Sequence, residues 1–390
     1  MNTVKDRAVQ EIVRLQPVLL ELSHKIHDNP ELGFQEHRAA AWITDLMEAE
    51  GFRVERGIAD MPTAFYATWG SGRPAVAFLA EYDALPGVGH GCGHNIIAAS
   101  SVGAALAAKA ALQDAPGQIA LVGSPAEEMG GGKVPLARMG IFNQFDAVMM
   151  VHPGLRDTVV AESLACVGLD VEFFGRAAHA SAEPEKGINA LDAIILSFNG
   201  INALRQHMPA DARIHGIITR GGEAPNIIPA HTAASFYVRA RNEDYLEELG
   251  ERVLMCLRGA AKATGAGFEH RWSDWRYAAM KTNSPLADAF AANLRGLGRE
   301  PVTPDSSEGL ASTDTGNVSV VVPTIHPSLA IAHRTTLRHS ADFAKAAISP
   351  EGDRGLLDAA KALAMTAIDV IGEPGLLQHI EADFKESHHA

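Results

Sequence analysis

Six consecutive apolar residues, Ala75–Ala80, run without a break into Glu81-Tyr82-Asp83-Ala84-Leu85-Pro86. A run of that length without polar alternation reads as a strand covered on both faces, as in a parallel sheet packed between helices. Acidic residues at the carboxyl end of such a strand lie where α/β folds gather their chemistry. Two more apolar runs of strand length, 118–123 and 147–151, follow, with helical spacing at 4–26, 39–50 and 97–112 and extended character at 64–69. The alternation predicts an α/β fold with a parallel or mixed sheet flanked by helices.

The texture changes near residue 164. Residues 167–174 alternate like a half-exposed strand, 189–207 are helical, 213–219 and 232–240 are strands, and 244–264 are helical. Helical patterns resume at Pro285, with an apolar strand expected at 318–322 and a last helix at 356–371. The partition is a catalytic domain of residues 1–164 and 279–390, interrupted by an inserted α+β domain at 165–278. A chain of 390 residues is long enough for two such cores.

Charge limits the partners. Lys and Arg number 33 against 47 Asp and Glu, a net charge of −14 that opposes nucleic acid and anionic membrane surfaces. No apolar run is expected to reach the length of a membrane span, and the charged first residues lack a signal-peptide core. Three scattered cysteines, Cys92, Cys166 and Cys256, do not make a disulfide framework; the odd count fits a reducing, cytoplasmic setting.

Three strand ends carry residues with metal or acid–base chemistry. His90-Gly91-Cys92-Gly93-His94-Asn95 offers two imidazoles and a thiol, the ligand types of zinc and its neighbours. Pro125-Ala126-Glu127-Glu128 offers adjacent carboxylates, one able to ligate and one to act on water, and His152 closes the third strand before Pro153-Gly154. Taken singly, these are equally a Gly-rich loop, a solvated acidic turn and a turn histidine; their convergence at one sheet edge is what a metal site requires. The Gly130-Gly131-Gly132-Lys133 stretch is not a phosphate loop, since Val134 follows the Lys and Glu127 stands where the first Gly would be. Neither a dinucleotide fingerprint nor a serine nucleophile elbow occurs.

The ordered set of residues 27–34, 81–86, 89–95, 125–128 and 152–154 resembles the aminoacylase and carboxypeptidase G family of two-metal hydrolases. Within it, the set is similar to the amidohydrolase branch of auxin-conjugate, p-aminobenzoyl-glutamate and β-alanyl-dipeptide hydrolases. The resemblance covers about residues 24–347. It implies a two-metal aminopeptidase-like catalytic domain with an inserted lid or dimerisation domain, and a substrate that is an N-acyl amino acid, an aminobenzoyl-glutamate-like conjugate or a dipeptide. The amide bond would be cleaved by a metal-bound water.

Residue by residue, the resemblance implies that Cys92, His94, Glu128 and His152 are ligands and Glu127 the general base. His339, in Arg338-His339-Ser340-Ala341-Asp342-Phe343, is similar to the last ligand, with His326 and His333 as competitors. His179 would be an oxyanion donor reaching the partner protomer of a homodimer; Asn226 and Arg239 would hold the substrate carboxylate. Glu81 replaces a metal His of the carboxypeptidase branch, so Glu81 and Asp83 are expected to orient ligands. Two divalent ions per protomer are implied, zinc or manganese, with cobalt possible. Hydrolysis of another type of C–N bond on the same metals, or a non-catalytic metal-binding dimer, are the rival readings.

Overall fold

In the structure, a computed structural model that describes residues 3–113, 116–303 and 310–389, the strand Ala75–Ala80 is buried along its whole length. It lies within a six-stranded sheet whose order is Arg53–Arg56, Phe65–Ser71, Gly117–Gly123, Ala75–Ala80, Ala147–Met149, Thr324–Ile325. The first two pairings are antiparallel and the other three parallel. Val76, Phe78 and Ala80 enter one core, with Leu19, Val102 and Leu363. Ala75, Ala77 and Leu79 enter another, with Leu136, Phe142 and Val318. Two covered faces explain why the run has no polar alternation.

The four parallel strands all end at the same edge of the sheet, which is how residues distant in sequence are delivered to one place. Behind that edge runs the helix His94–Leu112, packed against the helices Thr3–Asp28 and Pro350–Gly372. Its length and apolar composition would suffice to cross a membrane, contrary to the expectation from sequence that no run comes near that length. It is instead a core helix, buried almost all round. The Ala-rich composition permits the close approach: a Cβ placed on Gly103 would lie 2.8 Å from Leu19 Cδ1 and 3.1 Å from Ala360 Cβ.

The chain divides into two compact units. The described residues of Met1–Glu162, Met280–Gly309 and Asp314–Ala390 form one; Ser163–Ala279 with Leu310–Thr313 form the other. The second has its own antiparallel sheet, ordered Gly267–Tyr277, Ala165–Phe174, His231–Ala240, Arg213–Arg220. The helices Ala190–Leu204 and Glu243–Thr264 share a core with this sheet. Asn189 and Asn242 cap these helices, their side-chain oxygens accepting from Leu191 and Asp192 N–H and from Tyr245 N–H. Ala311 belongs to this unit through its carbonyl, which accepts from Leu164 N–H at 2.8 Å.

Three local expectations are corrected. The apolar run 318–322 is not a strand; Thr315–Ser319 is helical and the strand is Thr324–Ile325. Backbone bonds from Val320 to Gly316 and from Val322 to Val318 satisfy the run locally, and Pro323 ends it. The helix expected at 356–371 begins six residues earlier, because Ser349 caps Gly352 N–H and Pro350 suits the first turn. It is also not the last, since Pro374–His389 follows.

A buried carboxyl braces the start of the helix His37–Ala49. Glu36 accepts from Thr63 Oγ1 at 2.9 Å and from Ala126 N–H at 2.8 Å. Burial, with the charge of Asp83, pushes its pKa up to about 7 from an ordinary 4.5. A carboxyl that binds its proton more tightly when folded stabilises fully below about pH 4.5 and loses that contribution as the pH rises through about 7. The expected loss is about 3 kcal/mol. Denaturant unfolding of wild type and Glu36→Gln across this range should converge at low pH and separate at high pH, the variant being the more stable. Curves that stay parallel would reject this. For the helix packing, Gly103→Leu should lower stability by about 1–3 kcal/mol or more through overpacking, read as a drop in the unfolding midpoint.

Candidate metal centre

Each of the four parallel strands leads directly into a functional group. Ala75–Ala80 continues into Glu81 and Asp83, Gly117–Gly123 into Glu127 and Glu128, Ala147–Met149 into His152, and Thr324–Ile325 into His326. His152 and His326 are held by a second, short parallel pairing of His152–Gly154 with Ser328–Ala330. His94 is the first residue of its helix, entered through Gly93 at φ +79°. A side chain at Gly93 would lie 2.5 Å from Pro153 Cγ, so a bare backbone is needed there. Gly91 is equally confined, by Val88, and its carbonyl accepts from His339 N–H at 3.0 Å.

Ligand-type atoms collect in overlapping groups in which all members lie within 4.8 Å of one another. Cys92, His94 and His152 form one group; Cys92, Glu128 and His339 a second; His94, Glu127 and Glu128 a third; Glu81, Glu127 and Asp314 a fourth. The structure therefore brings together Cys92, His94, Glu127, Glu128, His152, His339 and Glu81, with Asp83 bonded to His94. Of the competitors for the last position, His326 stacks edge-on against His152, with ring centroids 5.5 Å apart. His333 is exposed and bonded to Thr335.

Imidazole orientation follows from the outer nitrogens. His94 Nδ1 donates to Asp83 Oδ1 at 2.8 Å, and His152 Nδ1 donates to the Pro153 carbonyl at 2.7 Å. Both rings thus turn Nε2 inward, the arrangement in which a carboxylate or carbonyl fixes the tautomer of a ligand. Asp83 Oδ2 accepts from Glu128 N–H at 3.0 Å, tying the two loops together.

The inner atoms lie at spacings close to those between ligands of one ion. Cys92 Sγ lies 3.4 Å from His152 Nε2, His339 Nε2 3.5 Å from Glu128 Oε1, and His94 Nε2 3.8 Å from Glu128 Oε1. His94 Nε2 and Glu128 Oε1 are buried without a hydrogen-bond partner among the described residues. Ligands at 2.0–2.1 Å around a tetrahedral ion are separated by about 3.3 Å, so these gaps suit divalent ions. The donor set of thiol, imidazole and carboxylate fits the same conclusion.

Electrostatics point the same way. Burial pushes the Cys92 thiol up to about 12, with Glu128 and Glu127 adding to the effect against His94, so only a bound cation makes it a thiolate at neutral pH. Burial and the positive charge of neighbouring imidazoles take His152 down to about 3, leaving it neutral and able to coordinate. Glu127 is held well above the ordinary carboxyl value by burial, then by Glu81 and Asp314; bound cations would oppose this and return it to the carboxylate form a base requires.

Two residues that the sequence analysis does not assign, Lys133 and Asp314, belong to this cluster. Lys133, wholly buried, lies 2.5 Å from Glu81 Oε1 and 2.7 Å from Asp314 Oδ1. The available signal is a Lys directly after a Gly-rich turn at a strand end.

His179, Asn226 and Arg239 lie in the second unit. His179 is bridged to Ile227, and Asn226 accepts through its carbonyl from Ala180 N–H at 3.1 Å. Both His179 and Asn226 are exposed. His179 Nδ1 accepts from Ser181 and Ala182 N–H at 3.4 and 3.2 Å, so the exposed Nε2 carries the hydrogen. Arg239 is half-buried over Tyr237 and donates to Ser312 Oγ at 3.0 Å.

The profile of peptidase family M20/M25/M40 matches residues 77–343. Among curated proteins, the chain is 39% identical over 401 residues to a mouse Xaa-Arg dipeptidase, covering 99% of this chain and 93% of that one. It is 34% identical over 316 residues to one of the p-aminobenzoyl-glutamate hydrolase polypeptides of Escherichia coli K12, covering 75% of this chain and 64% of the relative. Among solved structures, a dinuclear metal-binding peptidase of Bacillus subtilis superposes with a TM-score of 0.72 at 20% identity, covering 92% of this chain and 99% of that one.

Elemental analysis of purified variants checks the cluster. Cys92→Ser should weaken metal binding on the order of tenfold or more, since an alcohol is not deprotonated as a thiol is. Cys166→Ser and Cys256→Ser should retain the metal of the wild type. Equal metal content in all three would remove Cys92 from the site.

Proposed function

We propose, from the premise that this chain belongs to peptidase family M20/M25/M40, that its substrate is a dipeptide with a basic C-terminal residue, arginine first. The chain is a metal-dependent hydrolase of amide bonds. The observation that carries this reading is that Cys92 belongs to two ligand groups at once, with His94 and His152 on one side and Glu128 and His339 on the other. These residues would hold two divalent ions, with Cys92 within reach of both ligand groups. Support for the dipeptide comes from the Xaa-Arg dipeptidase likeness, which extends over nearly the whole of both chains. The thiolate favours zinc; manganese and cobalt tolerate the same mixed donors.

Two divalent ions held by these residues would polarise the scissile carbonyl and lower the pKa of the attacking water. Glu127 takes the proton from that water and returns it to the leaving amine nitrogen. Asp83 holds His94 and the Glu128 backbone in place throughout. The second unit serves as the lid and dimerisation domain. From it His179, with Nε2–H free of the local turn, donates to the oxyanion in the partner protomer's site, and Asn226 and Arg239 bind the substrate carboxylate. A cytoplasmic setting keeps Cys92 reduced, in accord with three free cysteines.

A panel of dipeptides ending in Arg, Lys, Leu or Glu, with p-aminobenzoyl-glutamate, N-acetyl and N-carbamoyl amino acids, tests the substrate. The Arg and Lys dipeptides should have the highest kcat/KM; preference for the carbamoyl compounds would move the assignment to another C–N bond. Glu127→Gln should keep its metal and lose turnover on the order of a hundredfold or more. His179→Ala should be similarly impaired in kcat with little change in KM. Mixing these two inactive variants should restore activity, because a hybrid dimer contains one site with both groups. Failure to recover activity in mixtures shown to exchange protomers would refute the trans arrangement.

A further inference from the structure

Lys133 holds its two carboxylate partners unequally. Asp314 has both oxygens engaged, Oδ1 by the ammonium at 2.7 Å and Oδ2 by Lys133 N–H at 2.9 Å. Glu81 has one oxygen engaged, Oε1 at 2.5 Å from the ammonium. Its other oxygen, Oε2, has no hydrogen-bond partner among the described residues, although the side chain is only 1% exposed. An uncompensated carboxylate oxygen in that position is costly unless a cation meets it.

The atom it faces is likewise without a hydrogen-bond partner among the described residues. It is His94 Nε2, on a side chain with 0% exposure, 3.5 Å from Glu81 Oε2. Because Asp83 accepts from His94 Nδ1, Nε2 is the ring nitrogen left to face Glu81. Two buried ligand-type atoms therefore face one another without a hydrogen bond between them. The separation is too long for a hydrogen bond and close to the edge of about 3.3 Å between two ligands of a tetrahedral ion. Lys133 brings its single positive charge between Glu81 and Asp314, in a cluster that also contains Glu127.

We propose that Glu81 is a direct ligand of the ion bound through His94 Nε2, and that Lys133 pins the other carboxylate oxygen so that Oε2 is turned toward that ion. This rests on the dinuclear centre described under the proposed function, and it replaces the orienting role expected for Glu81 with coordination. Lys133 then acts as a positioning residue, since it touches neither ion nor substrate.

The test uses full-length metal-free protein titrated with Zn2+ by calorimetry and with Co2+ by visible absorption, for wild type, Glu81→Gln and Glu81→Asp. The band from Cys92 sulfur to cobalt reports that the centre itself is present. The cobalt d–d band reports coordination number and geometry, which a residue acting only through His94 leaves alone. Glu81→Gln is expected to keep the sulfur band, weaken one of the two ions tenfold or more, and alter the d–d band. Glu81→Asp preserves a charge for Lys133 while withdrawing the carboxylate, and the same change is expected; it carries the test if the Gln variant does not fold. An unchanged d–d band overturns the proposal whether or not affinity falls, while leaving the metal centre intact. Wild type that binds neither ion overturns the centre and this proposal together.

Discussion

Asp83 is the residue on which the arrangement of the site depends. It is buried, and its two oxygens reach two different segments: His94 at the start of a helix and the Glu128 backbone at the end of another strand. A carboxylate accepting from both is well stabilised as an anion, and its pKa is lowered: burial works against this, but the His94 ring and the Glu128 N–H outweigh it. With that anion in place, the His94 ring has one orientation and the Glu127-Glu128 loop one position relative to it. Loss of Asp83 would release both at once.

The parallel strand edge multiplies this effect. Strand register aligns the strand ends: Phe78 pairs with Leu121 and with Met149, so the segments leading to Glu81, Glu127 and His152 leave the sheet from one edge. The site is rigid because its supports lie in the core rather than in solvent. The hydrogen bond from His339 to Gly91 brings in the last histidine, which the sheet does not reach.

What is legible in the sequence follows from this geometry. Apolar runs ending in Glu81, Glu127 and His152 can be read because each strand and its functional residue are contiguous. Lys133 cannot, because its meaning lies in partners 52 and 181 residues away, and a buried ammonium looks in sequence like any Lys after a glycine turn. The strand Gly267–Tyr277 escapes detection since most of its positions are exposed or half-buried and its apolar alternation is weak. The run at 318–322 misleads because four valines and a serine suit a buried helix turn as well as a strand, and only Pro323 and the pairing of Thr324 with Val148 decide between them.

The helix His94–Leu112 has one further consequence. Its first residue belongs to the metal cluster, while the rest is the most membrane-like stretch among the described residues and must be hidden. Ion binding and concealment of that stretch are therefore thermodynamically linked. A ligand present at a hundred times its dissociation constant adds about 3 kcal/mol to the folded state. Metal supply thus bears on how much of this chain keeps that stretch enclosed, as well as on how fast each folded copy turns over.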